Sequence, residues 1–466
     1  MRQHTLVAAF APLLVALAGC GGSTTSSNDP SNPANPSQPS VPIAKSSLAR
    51  TAASSIAPAS LAGAVAANNA FALDLYSRLD TASPPANVLT SPISASLALT
   101  MTYAGALGAT ATQMATALHY GANASTIFDG QNALSQALAS RAASALAGDQ
   151  STASESGEPA PSASDYQLEV VNSVWGEKTY TWEAPFLATL AQSYGTGVYQ
   201  QDFVNQPTQA TSTINTWVSD ATDDKINNLI TPGSIDSSTR MVLVNAIHLK
   251  FPWANPFAPT STAAATFTRS DATTVSTPFM NQTQTFAYTD DGQAQIVSLP
   301  LAGGQEAVVI TLPHQDLASY EAALTVTSGA FVPPKAQTLV TLSLPKVSFT
   351  SPTFSLASAL QAMGMSQAFN PQDADFLGLC AHTPDGDTLY ISDVEQKAMI
   401  AMQETGVEAA AATAVLVAGT AATGGPVPVP VPMVVNRPFL LSIVDLPTGA
   451  VLFLGHIEDP TAAGSP

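Results

Sequence analysis

Apolar positions change rhythm along this chain. Over residues 61–79 they recur at helical spacing, with Val65, Phe71, Leu75 and Tyr76 on or near one face and Arg78 close to the end, the pattern of an amphipathic helix. Asn87 to Pro92 break that helix. Residues 93–107 are apolar almost all round and predict a second, mostly buried helix; a third starts at about Ala111, after Gly108, Ala109 and Thr110. The period then shortens. The spans 168–174, 240–250, 295–300, 306–313, 338–349 and 439–444 are rich in Val, Ile and Leu and predict strands. Several alternate too little for a sheet face open to water. Between helices and strands, residues 147–164 are rich in Ser, Gly and Pro and predict an extended surface loop. Helices gathered early and strands later, with few alternating units, predict an α+β fold rather than a doubly wound one.

The amino terminus predicts export. Arg2 and His4 precede an apolar run over residues 6–18, shorter than the ~20 residues of a membrane span and patterned like a secretory signal. Leu17-Ala18-Gly19-Cys20 is similar to a bacterial lipobox, which implies removal of residues 1–19 and lipidation of Cys20. Gly21 after the cysteine resembles the outer-membrane sorting pattern. Residues 20–56 are rich in Ser, Pro and Asn and predict a flexible tether. The expected location is the bacterial cell envelope, lipid-anchored and surface-exposed, with secretion as the other outcome. Length alone favours two or three domains, but the element pattern predicts one domain over residues 57–462. Cys380 is the only cysteine left once Cys20 carries lipid, so no intrachain disulfide forms, and a buried thiol is expected there.

Charge narrows the partners. The formal net charge of -19 makes nucleic acid an improbable ligand. Residues 104–148 contain only Arg141 as a fixed cation, so no heparin-type cofactor is expected either. The chain lacks the Gly-x-Ser-x-Gly, His-Glu-x-x-His, Cys-x-x-Cys and phosphate-loop motifs, and its six His are scattered. Asp385, Asp387 and Asp393 near Gly386 do not match a calcium hand, and a turn explains them better. No enzyme, metal site or cofactor is predicted.

The most informative segment lies near the carboxyl end. Glu404-Thr405-Gly406-Val407-Glu408 is followed by Ala409, Ala410, Ala411, Ala412 and Thr413, then an apolar stretch and Asn436-Arg437-Pro438-Phe439. An alanine run by itself favours helix. It also suits a segment that must be exposed in one state and a central strand in another, because small side chains lose little entropy and do not obstruct entry, while glycine lets the backbone pivot. This segment resembles the reactive-loop hinge of a serpin. The resemblance extends over the domain in family order. Asn69 to Tyr76 and Ser91-Pro92-Ile93-Ser94 look like the first helix and the shutter. Ile214 to Val218, with Thr222, Lys225 and Ile226, resemble the sixth-helix region. Val242 to Ile247, with Lys250 and Trp253, resemble the central strand and breach. Leu344-Pro345-Lys346, Met363-Gly364-Met365, Ala374-Asp375-Phe376 and Leu452 to Gly455 complete it.

The resemblance implies a serpin fold: N-terminal helices on a large central mixed sheet, smaller sheets beside it, and an exposed reactive loop at about residues 404–436. It implies a suicide inhibitor of endopeptidases, with Ser91, Ser94, Asn245, Trp253 and Gln396 at the shutter and breach. The family's spacing from Glu404 puts the scissile bond at Thr420–Ala421. The target's serine would attack there and form an acyl-enzyme. Insertion of the cleaved loop at ~3.3 Å per residue would carry the attached protease on the order of 50 Å, and misplacement of its catalytic groups would stop hydrolysis. Val407, Ala409, Ala411 and Thr413 would face inward. A monomer partnered by a protease is expected. With no Lys or Arg from Thr405 to Asn436, elastase-like or subtilisin-like enzymes fit better than trypsin-like ones, through Thr420, Leu416, Val417 or Ala418; some cysteine proteases accept similar side chains. A non-inhibitory serpin, serving as a surface binder or a mere substrate, is the alternative.

The sequence departs from the family at three places. Val407 stands where Thr or Ser is common, although its β-branched shape suits a strand. Gln396 stands where many members carry a shutter His, and it can both donate and accept. Residues 421–437 are longer than usual, and Pro426, Pro428, Pro430 and Pro432 alternate with Val, which predicts a stiff polyproline-like arm.

Overall fold

The computed structural model describes residues 41–82, 86–121, 124–325, 329–383, 386, 388–408 and 429–463. The early helical rhythm becomes five successive helices: Pro58–Ala82, Pro92–Tyr103, Gly108–Ala117, Ala124–Ala139 and Arg141–Ser156. Pro92 opens the second at a position where a missing N–H costs nothing. That helix is buried from Pro92 through Thr102, as its all-round apolar face requires. Val88–Thr90, within the expected break, is a short strand pairing with Ala450–Ile457. Three residues are too few for a period to register.

Among the described residues the strands form two large sheets and a two-stranded one, and the architecture is α+β. One is a mixed seven-stranded sheet. Across it run Ile43–Ala44, Val198–Gln201, Gln167–Glu177, Met241–Pro252, Gly406–Val407, Met399–Gln403 and Val347–Thr350. Gln167–Glu177 and Val198–Gln201 are parallel; the other neighbours are antiparallel. The second sheet has nine strands, including Gln337–Pro345, Glu306–Pro313 and Phe439–Asp445. Its Glu306–Pro313 strand is buried at every residue, which is why its sequence does not alternate. Phe251, Trp253, Phe279, Leu344, Met402 and Val407 share one apolar cluster drawn from both sheets.

Three expectations need correction. The span 338–349 is not one strand: Gln337–Pro345 and Val347–Thr350 belong to different sheets. The chain changes sheet at Pro345-Lys346, where proline lacks a ladder N–H and Lys346 donates its own to Pro278 O at 2.9 Å. The predicted loop at 147–164 is helix as far as Ser156. Ala145 and Ala153 are buried on one face, while Thr152 Oγ1 and Ser156 Oγ fold back onto the carbonyls of Gly148 and Thr152 at 3.1 and 2.9 Å. Gly157, at φ 75°, ends it.

The tether is the third. Residues 41–56 pack on the domain: Ile43–Ala44 pairs with Val198–Gln201, and Arg50 Nε donates to Asn132 Oδ1 at 2.9 Å. Thr51 O accepts from Asn132 and Gln136 at 2.8 and 2.9 Å. These are ordinary sheet-edge and side-chain bonds, which a polar composition hides. The packed domain therefore extends back to about Val41. The signal segment, Cys20 and the tether to residue 40 lie outside the described residues.

Candidate functional site

The central feature is a split in the seven-stranded sheet. Gly406–Val407, a strand of 2 residues, lies between Met241–Pro252 and Met399–Gln403. On one side Gly406 pairs with Pro252 and Val407 with Phe251; on the other they pair with Gln403 and Met402. Beyond that short strand, residues 241–250 have no strand partner on this edge among the described residues. Side chains close the gap instead. Asn245 Nδ2 donates to Glu395 O at 3.4 Å, and Gln396 Nε2 to Asn245 Oδ1 at 3.3 Å.

At the occupied end, the turn Glu404-Thr405 reverses the chain. Glu404 binds Lys346 Nζ and Thr262 Oγ1, both at 2.9 Å. Burial works against the Glu404 charge, but these two donors and a backbone N–H outweigh it and hold the carboxyl below its usual range. Trp253, almost fully buried, donates its backbone N–H to Thr405 O at 3.0 Å and its indole Nε1–H to Gln403 O at 2.7 Å. Val407 is 2% exposed and packs in the main core. The chain leaves the sheet at Glu408, whose φ of 50° is left-handed. Its carboxylate meets His248 Nε2 and, at 2.8 Å, Lys225 Nζ.

At the closed end, Gln396 is 1% exposed and makes four hydrogen bonds. Its Oε1 accepts from Thr90 Oγ1 at 2.6 Å and Ser91 N at 3.0 Å, and its Nε2 also reaches Ser91 O at 2.9 Å. Ser91 Oγ donates to Leu452 O at 2.9 Å, and Ser94 Oγ contacts Asn245 Oδ1 at 3.5 Å. The amide thus saturates its hydrogen-bonding capacity without a titrating group. A linker over residues 222–235 crosses the gap, where Asn227 O accepts from Lys397 Nζ at 3.1 Å and Ser234 Oγ donates to Glu395 Oε1 at 2.8 Å. Burial pushes the Lys397 amine down.

The sequence profile of the serpin (serine protease inhibitor) family matches residues 66–460. The chain belongs to the serpin family. Plasminogen activator inhibitor 2 of Homo sapiens is 32% identical, covering 84% of this chain and 99% of its own. Leukocyte elastase inhibitor of Sus scrofa is also 32% identical, covering 85% and 99%. Among solved structures, the thermophilic serpin tengpin in its native state superposes with a TM-score of 0.71 at 26% identity, over 90% of this chain and 97% of tengpin.

Within the serpin fold, Ser91, Ser94, Asn245 and Gln396 form one cluster; Trp253, Glu404, Gly406, Val407 and Glu408 form another. Ala409 to Thr413, Thr420, Ala421, Pro426 and Pro428 lie outside the described residues. The proline arm ends differently from expectation: Val431–Val434 pairs in parallel with Gln337–Pro345 as an edge strand, a place that tolerates Pro432. Cys380 is buried and donates to His382 O at 3.4 Å. Arg141 is tied to Asp445, Nε to Oδ1 at 2.6 Å, with its side chain 13% exposed. Sequence reasoning missed His248 as a hinge contact. The charge of Glu408 in an otherwise small, neutral run was the available signal.

Proposed function

We propose that this serpin is a suicide inhibitor of serine endopeptidases, trapping the target as an acyl complex by inserting its cleaved loop into the seven-stranded sheet. One observation carries the reading: a corridor bounded by Met241–Pro252 and Met399–Gln403, entered by Gly406–Val407, with Ala409 to Ala412 next in sequence. Elongating that strand satisfies backbone groups on both sides and replaces a few side-chain bridges, a net gain in paired backbone. The protease supplies the nucleophile, and the inhibitor supplies the ester-forming carbonyl and the movement. The hydrophobic loop, free of Lys and Arg, favours elastase-like or subtilisin-like targets. The leukocyte elastase inhibitors among the relatives support that class. The signal-like and lipobox-like residues support a monomer anchored to the bacterial envelope through Cys20.

Denaturing gel electrophoresis and intact-mass analysis of the soluble chain from Gly21, after incubation with an elastase-like and a subtilisin-like protease, test this. A denaturant-stable complex and a released fragment beginning near Ala421 are expected. Clean cleavage with no complex by either enzyme would sink the inhibitor reading in favour of a binder or substrate.

A further inference from the structure

The docked hinge poses a question of its own. Gly406 tolerates any backbone turn, so the natural exit from the sheet is there. The chain instead stays paired through Val407 and exits at Glu408, where a left-handed φ of 50° is unfavourable for a side chain with a Cβ. Something must hold it. Glu408 has a side chain 9% exposed, and it contacts His248 (3% exposed) from the Met241–Pro252 strand and Lys225 (41% exposed) from the linker. Burial opposes the Glu408 charge, but the His248 and Lys225 contacts outweigh it and keep the carboxyl below its ordinary value. A further ionisable neighbour of His248 is Glu169, its cross-strand partner on Gln167–Glu177, whose carboxyl is pushed up by burial.

From this geometry we propose that Glu408, His248 and Lys225 form a latch that keeps the first step of loop insertion made before cleavage, so that trapping starts from an existing nucleus. Val407 is its apolar anchor. The three side chains are positioning residues: they act on the hinge backbone and not on the scissile bond, which the family's spacing puts 12 residues further along the chain. The proposal rests on the inhibitor reading and specifies what sets its efficiency. After cleavage, strand growth and acyl-enzyme hydrolysis compete. A hinge already paired has its first residues ordered and needs only propagation, whereas a free hinge must first find the corridor. Losing the latch therefore diverts inhibitor into the substrate pathway while leaving the loop at least as easy to cut. When insertion continues past Glu408, its backbone can relax to extended geometry and its side chain stays on the Lys225 face, so the latch does not resist completion.

The test uses the soluble chain from Gly21 with Glu408→Ala, Lys225→Ala and His248→Gln variants. Lys225→Ala changes a partly exposed side chain and guards against misfolding as the explanation. Backbone hydrogen exchange over residues 403–408 should rise at least tenfold in Glu408→Ala, and Trp253 emission should shift because its indole bonds the hinge at Gln403 O. The stoichiometry of inhibition should rise several-fold with no fall in the loop-cleavage rate. Exchange unchanged in both Glu408→Ala and Lys225→Ala would overturn the latch. Raised exchange with unchanged stoichiometry would overturn its role in partitioning. If the wild type forms no protease complex, the inhibitor reading and the partitioning role fall together, and exchange still decides whether the latch exists.

Discussion

The two ends of the sheet's split are closed by different means. At the hinge end a real strand, Gly406–Val407, fills the space and bonds both neighbours through the backbone. At the Gln396 end no strand fills it among the described residues; the side chains of Asn245 and Gln396 reach across, Asn245 to the backbone carbonyl of Glu395, beneath the crossing linker. Backbone closure is repeated residue by residue and can be propagated. Side-chain closure is local, and an incoming strand can displace it. On the proposed mechanism, the sheet is complete where insertion would begin and provisional where it would continue, an arrangement that suits a metastable state held by a kinetic barrier.

The largest effect is expected at the backbone-closed end. Val407→Asp puts a charge into a core position that is 2% exposed, and a buried unpaired carboxylate costs several kcal/mol. Complex formation on denaturing gels should vanish while the loop is still cleaved. If the complex survives, the hinge strand is not the entry point. Next comes Gln396→Leu, which strips partners from Thr90, Ser91 and Asn245. At about 1–3 kcal/mol for each buried polar group left unmade, a loss on the order of 4 kcal/mol is expected in the thermal unfolding of the native state. Gln396→His, which retains donor and acceptor atoms, should recover much of it.

Much of this was legible in the sequence, and the failures have physical causes. The buried strand 306–313 was readable because continuous burial leaves a continuous apolar run. Gln396 was readable as a shutter residue able to donate and accept, and one of its partners, Ser91, lies on a motif of the family; its bond to Thr90 was not readable. The His248–Glu408 contact joins positions 160 residues apart, and no local pattern encodes it. The helix through Ser156 was hidden because Ser and Thr disfavour helix interiors unless their hydroxyls fold back. Packing of residues 41–56 was hidden because polar bonds to Asn132 and Gln136 have no hydrophobic signature.

A third change separates the corridor from the rest of the fold. Glu306, fully buried in the nine-stranded sheet, has neither carboxylate oxygen hydrogen-bonded among the described residues. Burial, and then the charge of Asp445, push its pKa from 4.5 up to about 7, against the opposing pull of Arg141. The folded state therefore holds this proton more tightly than the unfolded one. Its contribution is full below pH 4.5 and is lost as pH rises through about 7. At ~1.4 kcal/mol per pH unit, the loss reaches on the order of 3 kcal/mol. Glu306→Gln should flatten that part of the pH–stability curve while leaving the stoichiometry of inhibition unchanged. A changed stoichiometry would mean the two sheets are coupled and the corridor is not a self-contained device.

The smallest effect is expected from Lys346→Ala, which removes the ion pair to Glu404 at the turn. The lysine side chain is 33% exposed and that of Glu404 14%, so solvent screens part of the attraction and the pair is worth under ~1 kcal/mol. Glu404 keeps Thr262 Oγ1 as a donor, and its backbone carbonyl still accepts from Phe257 N at 2.8 Å. The turn should therefore persist, with a drop in thermal midpoint of a degree or two and no change in hinge exchange. A large rise in exchange at Gly406 and Val407 would show that the turn, rather than the Glu408 contacts and the Val407 anchor, keeps the hinge in the sheet. The backbone-closed end would then depend on a single partly buried ion pair, and its contrast with the Gln396 end would shrink to a difference of which side chains close the gap.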